Sequence, residues 1–224
     1  GMDSSKTILS HDGTTRYATL TLDGADHVAF KNMTIETTAS TDGWAVHLTN
    51  QANYNSFMNS HITVNSTGTN DLMGIVGSAS PTSETTEGDF GNNLTVKYCR
   101  IDKGEDNIHL EGAGESNPNS NFIIENNVFA GADDMSMDFY YLDSTSIKNN
   151  VINSSDNAVY LHDMYNTEIV NNTINTADYG IYFYDGSFVN IEGNDITCSS
   201  SFGDGIYTND ADNFLISNNF VDVS

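Results

Sequence analysis

Apolar and polar residues alternate along this chain with a period of two, and the alternation restarts at nearly constant intervals. The clearest copies are Ile124-Glu-Asn-Asn127-Val-Phe129, Ile147-Lys-Asn-Asn150-Val-Ile152 and Ile169-Val-Asn-Asn172-Thr-Ile174. Ile191-Glu-Gly-Asn194-Asp-Ile196 and Ile216-Ser-Asn-Asn219-Phe-Val221 follow. The second asparagine recurs after 23, 22, 22 and 25 residues. Apolar residues two or three apart around a turn have the period of strands, not of a helix. A fixed repeat of this length means that one supersecondary unit is stacked on itself. The unit predicted is one coil of a parallel β-helix.

Weaker copies, Phe30-Lys-Asn-Met33-Thr-Ile35, Phe57-Met-Asn-Ser60-His-Ile62 and Val96-Lys-Tyr-Cys99-Arg-Ile101, extend the count to eight rungs. The chain is therefore expected to be all-β, a single domain over residues 1–224 with about eight coils and an irregular lead-in over residues 1–16. It stops within a coil at Val221-Asp-Val-Ser224. A piece of a longer chain is expected, with end-to-end self-association as the alternative.

The asparagines explain how the coils keep register. Stacked strands lie about 4.8 Å apart, so inward side-chain amides at Asn127, Asn150, Asn172, Asn194 and Asn219 can donate to one neighbour and accept from the other. Buried amides are tolerable only when paired in this way. Met33, Ser60 and Cys99 replace the asparagine in earlier coils, so the ladder should begin at Asn127. The preceding position, Asn126, Asn149, Asn171, Gly193 and Asn218, interchanges the two residues that most readily take left-handed backbone angles.

A second strand precedes each ladder phrase, as in Asn107-Ile-His-Leu-Glu-Gly112 and Gly180-Ile-Tyr-Phe-Tyr-Asp185. Its second and fourth positions are mostly apolar and face the core, so its third and fifth should face solvent. The third position stacks His47, Val76, His109, Asp138, Tyr160, Tyr182 and Tyr207; the fifth stacks Thr49, Ser78, Glu111, Tyr140, His162, Tyr184 and Asn209. Insertions at 36–43, 63–72, 79–93, 112–121 and 197–204 interrupt the repeat. Most flank the second to fourth coils and should wall that part of the face.

Composition narrows the partners. The net charge is −24 with seven Lys plus Arg, which makes nucleic acid and anionic membrane surfaces poor partners. No apolar run is long enough to span a bilayer. The Asn/Ser/Thr/Asp/Gly-rich, lysine-poor make-up suits a secreted or cell-surface protein. Cys99 and Cys198 lie four coil steps apart, about 19 Å, beyond disulfide reach.

The whole pattern resembles the pectin-lyase-like right-handed β-helix superfamily, which includes pectate lyases, polygalacturonases and pectin methylesterases. The resemblance implies a right-handed coil. Residues 17–48, from Tyr-Ala-Thr-Leu-Thr-Leu to Gly-Trp-Ala-Val-His-Leu, look like the opening coils of pectin methylesterases. The Gln-Asp segment and the Asp and Arg motifs that should follow are missing. Gly131-Ala-Asp-Asp134 is similar to the Asp-Asp step of polygalacturonases, but their Gly-His-Gly and Arg-Ile-Lys motifs are absent. No catalytic role carries over from either family.

Candidate chemistry lies on the outward face. His47, Tyr140, Tyr160, His162, Tyr182, Tyr184 and Tyr207 would form an amphipathic strip that stacks on sugar rings and hydrogen-bonds their hydroxyls. The alternative is that these tyrosines only steady the sheet through cross-strand pairs. His109, Glu111 and Asp138 are the candidate catalytic group: His109 and Asp138 are stacked neighbours, and Glu111 and Asp138 sit diagonally about 8 Å apart, a separation used by inverting glycosidases. A solvated polar patch is the alternative. Two aspartate stacks, Asp163/Asp185/Asp210 and Asp134/Asp156/Asp178/Asp204, invite Ca²⁺ or are turn residues at solvated corners; the latter is favoured. No cofactor is called for, and no Cys/His spacing suggests zinc. None of the cations falls on the outward positions, which disfavours a polyuronate lyase. The expectation is a β-helix that engages a neutral or weakly charged polysaccharide or surface glycan, as a glycoside hydrolase or as a non-catalytic binding or adhesin module.

Overall fold

The computed structural model describes residues 6–13, 17–65 and 71–224. Each coil contributes three short strands to three faces. In one coil and the next these are Asp106–Glu111 on face B, Asn119–Glu125 on face C and Val128–Ala132 on face A. Face A carries nine strands from Ile8–His11 to Phe220–Val223, and every pairing is parallel between successive coils. In the last two coils faces B and C run together as single bent strands, Ile181–Glu192 and Ile206–Ser217.

The register stacks like on like. On face A, Leu9, Ile35, Ile62, Ile101, Phe129, Ile152, Ile174, Ile196 and Val221 pair in one column. From Ile35 to Ile196 these side chains are completely buried. Face C stacks Phe30, Phe57, Val96, Ile124, Ile147, Ile169, Ile191 and Ile216 in the same way.

The ladder forms as expected. Asn127 Nδ2 donates to Asn150 Oδ1 (3.1 Å), Asn150 to Asn172 (3.0 Å), Asn172 to Asn194 (2.9 Å) and Asn194 to Asn219 (2.9 Å). Each Nδ2 also donates to a backbone carbonyl of the coil before, and each Oδ1 also accepts a backbone N–H from it, beginning with Cys99 N to Asn127 Oδ1 at 2.9 Å. From Asn127 to Asn194 the amide groups are thus satisfied inside the core. The residue before the ladder takes positive φ in every coil: Asn32, Asn59, Tyr98, Asn126, Asn149, Asn171, Gly193 and Asn218 lie between 50° and 66°. Asp163, Asp185 and Asp210 do the same at the B–C corner, with φ 54°, 58° and 47°. They are turn residues.

Two expectations are corrected. The lead-in is not irregular: Ile8–His11 pairs with Thr34–Thr37 residue for residue, because Ile8 and Leu9 continue the face A pattern one strand earlier. Residues 1–5 and 14–16, also counted in the lead-in, and 66–70, within the expected 63–72 insertion, lie outside the described residues. The second correction concerns face B, whose outward positions are not all in solvent. His47, Val76, His109, Glu111 and Asp138 are buried.

The 79–93 insertion contributes to this. Gly88 N donates to Gly112 O at 3.1 Å, and Asn119 Nδ2 reaches Asp89 Oδ1 (2.8 Å) and Gly91 O (2.9 Å). The same segment sends Phe90 into the core. Gly77 occupies a core position of its strand, and a Cβ there would lie 2.7 Å from the Phe90 ring. Phe90 fills the place of the missing side chain and packs on Phe122 at 5.7 Å.

Candidate functional site

The face B register stacks His47, Val76, His109, Asp138, Tyr160, Tyr182 and Tyr207 as consecutive partners, with Glu111, Tyr140, His162, Tyr184 and Asn209 alongside. The sequence-predicted residues are therefore on one face and in the expected order. They nevertheless fall into three separate environments.

In the opening coils, His47 borders a cleft of about 920 Å³ with Thr21, Asp23, Thr49, Gln51 and Asp89. Its Nε2 donates to Ser78 O at 3.2 Å. Burial lowers its pKa, against the pull of that hydrogen bond. Trp44 stacks obliquely on it at 4.9 Å and forms a small second core with Met73 and Val76.

In the fourth and fifth coils, His109 is clamped among carboxylates. Nδ1 lies 2.9 Å from Asp138 Oδ2 and 3.5 Å from Asp106 Oδ2, and Nε2 lies 3.7 Å from Glu111 Oε2. Burial opposes the imidazolium, but Asp106, Asp138 and Glu111 together outweigh it and hold its pKa well above the usual value. Burial pushes Asp106 up to about 6, with His109 working against the rise and Asp138 adding to it. Glu111 is raised for the same first reason, again opposed by His109. Glu111 and Asp138 do not face each other across open space, since the imidazole ring stands between them.

Asp106 is missing from the residues that the sequence pattern singles out. Strict alternation puts a residue three before His109 on the opposite side. At the start of these strands the alternation slips, so that Asp106 sits beside His109 as Trp44 sits beside His47. The spacing Trp44/His47 and Asp106/His109 repeats at the same register, which was the available signal. Among the described residues, Asp106, His109 and Asp138 are the group whose metal-ligating atoms converge, all within 4.8 Å. Neither aspartate stack does so; Asp163 instead sits 2.7 Å from its neighbour His162.

From the fifth coil onward the face carries two aromatic ladders. Tyr160 and Tyr182 stack at 4.8 Å and 12°, Tyr182 and Tyr207 at 4.6 Å and 18°, and His162 and Tyr184 at 4.8 Å and 10°. Tyr140 joins them at a tilt, 5.5 Å from His162 and 5.9 Å from Tyr160. All are half-buried. This changes the expected contact. The rings stand like coins in a roll, so both faces of Tyr182 are covered by its neighbours and the strip offers ring edges and hydroxyl tips. Tyr179, not singled out in the sequence, packs edge-on against Tyr182 at 5.1 Å and extends the strip.

Residues 89–221 match the family model described as right handed beta helix region. No curated protein and no solved structure matches the chain. With the parallel three-faced coil, the asparagine ladder and a family match over more than half its length, this chain belongs to the right-handed β-helix family, within the pectin-lyase-like superfamily.

Proposed function

We propose that this chain is a non-catalytic glycan-binding β-helix module, secreted or displayed at a cell surface, that holds a neutral or weakly charged polysaccharide along the aromatic strip of face B. The observation that carries this reading is the pair of adjacent ladders, Tyr160–Tyr182–Tyr207 and Tyr140–His162–Tyr184. Each phenol hydroxyl both donates and accepts, and stacked rungs repeat such tips at the coil spacing, which suits a chain of sugar hydroxyls. Ring edges supply apolar contact beside them. The net charge of −24 argues against polyanionic glycans.

The hydrolase alternative is weaker. An inverting pair of carboxyl groups needs a gap of about 6.5–9.5 Å that admits water and the sugar. Glu111 and Asp138 are buried and share one imidazole.

A panel of neutral glycans, scored for binding and for new reducing ends, tests the reading. Binding without product release is expected, and Tyr160→Ala with Tyr182→Ala should weaken it tenfold or more. That factor corresponds to the loss of about 1.4 kcal/mol of contact. Undiminished binding in the double variant would remove the strip as the recognition surface, and released product would restore the hydrolase.

A further inference from the structure

We infer that Asp106, His109 and Asp138 form a site for one small divalent transition-metal ion, which would tie the fourth coil to the fifth. An acidic cluster by itself would be unremarkable in so acidic a chain. This one differs in what its atoms lack and in how they are held. The His109 side chain is 3% exposed, and its ring nitrogens meet only carboxylate oxygens, without the alignment of a hydrogen bond; Asp138 Oδ1 is buried and makes no hydrogen bond either. Buried polar atoms in that state call for a ligand.

The two spacings from the histidine fit an ion, and all three donors lie within 4.8 Å of one another. Metal–ligand bonds of about 2.0–2.2 Å place neighbouring donors about 3.0–3.5 Å apart around an octahedral or tetrahedral centre. His109 Nδ1 lies 2.9 Å from Asp138 Oδ2 and 3.5 Å from Asp106 Oδ2. The supporting contacts fit as well. Asp106 Oδ1 accepts the Met135 N–H at 3.1 Å, which fixes the carboxylate with Oδ2 turned to the ring. On the far side of the imidazole, Glu111 Oε2 lies 3.7 Å from Nε2, where a carboxylate orients a metal-bound histidine and sets its tautomer.

Charge and donor type narrow the ion. Two carboxylates neutralise a divalent cation in a site closed to water, with the histidine uncharged. One nitrogen and two oxygens suit Zn²⁺ or Mn²⁺. Ca²⁺, which takes six to eight oxygen ligands, is poorly served. The competing account is an imidazolium held by three carboxylates with no ion at all.

The test uses the whole chain, stripped with a chelator and titrated separately with Zn²⁺ and Mn²⁺. Native mass spectrometry should find one bound equivalent of at least one of them, and the thermal midpoint should rise with that metal. Co²⁺ should give a ligand-field absorption spectrum typical of nitrogen and oxygen donors. Glu111→Gln should keep the fold and weaken binding about 10–100-fold, while His109→Gln should abolish it. If His109→Gln fails to fold, the Glu111→Gln affinity and the Co²⁺ spectrum still decide. No bound equivalent and no midpoint shift with either metal, or unchanged affinity in a folded His109→Gln, would overturn the site and leave the clamped imidazolium. No glycan enters the measurement, so its outcome is separate from that of the binding reading.

Discussion

The opening half of this β-helix and its closing half are built on one repeat but keep their register by different means. From Asn127 onward the coils are short and nearly equal, and a continuous amide ladder runs through the core. Before it, Met33, Ser60 and Cys99 stand in the ladder position and the coils carry long insertions. There the core is completed from outside the repeat, by Phe90 in the space above Gly77. Of the outward face B positions, His47, Val76, His109 and Glu111 before the ladder and Asp138 just after its start are buried, and those from Tyr140 onward are half-exposed or exposed. Regular repetition fixes where a side chain points, not whether it meets water.

The contrast breaks most severely at Phe90. Phe90→Ala removes a fully buried ring from a core that the local repeat cannot refill, and should cost about 3–5 kcal/mol in denaturant unfolding. A loss under about 1 kcal/mol, the size of an ordinary surface change, would mean that the insertion is only a surface loop. In the regular half, Asn172→Leu removes an amide that donates to Asn194 Oδ1 and Ile147 O and accepts from Asn150. It should cost about 1–3 kcal/mol, because the neighbouring amides are left unpaired. The loss should not vary with pH across the range from acid to neutral, since amides do not titrate; a pH-dependent loss would point to a different partner.

The irregular half holds a charged counterpart on face A. Asp102 accepts from His61 Nε2 at 2.9 Å and from Arg100 Nε at 2.6 Å. Burial would raise its pKa, but these donors and Thr63 overcome that and hold it well below the usual carboxylate range. A depressed carboxylate contributes stability that is complete above its unfolded value, about 4, and is lost as pH falls toward its folded value. Asp102→Asn should therefore cost about 1 kcal/mol at neutral pH, allowing for its partners' exposure. The gap to the parent chain should narrow below about pH 4. A gap that stays constant into acid would show that Asp102 acts through shape and not charge.

Much of this division could be read from the residues. The ladder, its starting point, the positive-φ corners and the order of the outward stack all follow from period-two alternation and the interchange of Asn with Gly. Burial of His47, His109, Glu111 and Asp138 could not, because a period of two gives the face a side chain points to and not what lies over it. Asp106 escaped because alternation fails at the strand start. The mutual covering of Tyr160, Tyr182 and Tyr207 escaped for another reason: sequence gives spacing, but ring tilt comes from packing.

The ladder also has a direction. Each amide presents its oxygen toward the preceding coil and its nitrogen toward the next. The carbonyls of Val96, Ile124, Ile147, Ile169 and Ile191 fix that sense, because each needs a donor where an oxygen would otherwise stand. Successive peptide groups of a strand point to opposite neighbours and largely cancel along the axis, but these five side-chain dipoles point the same way along it and polarise one another. The core of the regular half is thus an oriented polar rod inside an apolar sleeve, positive toward its last coil. Turning Asn150, Asn172 or Asn194 around would set oxygen against oxygen on one side and nitrogen against nitrogen on the other, so the five behave as a single switch with one permitted setting.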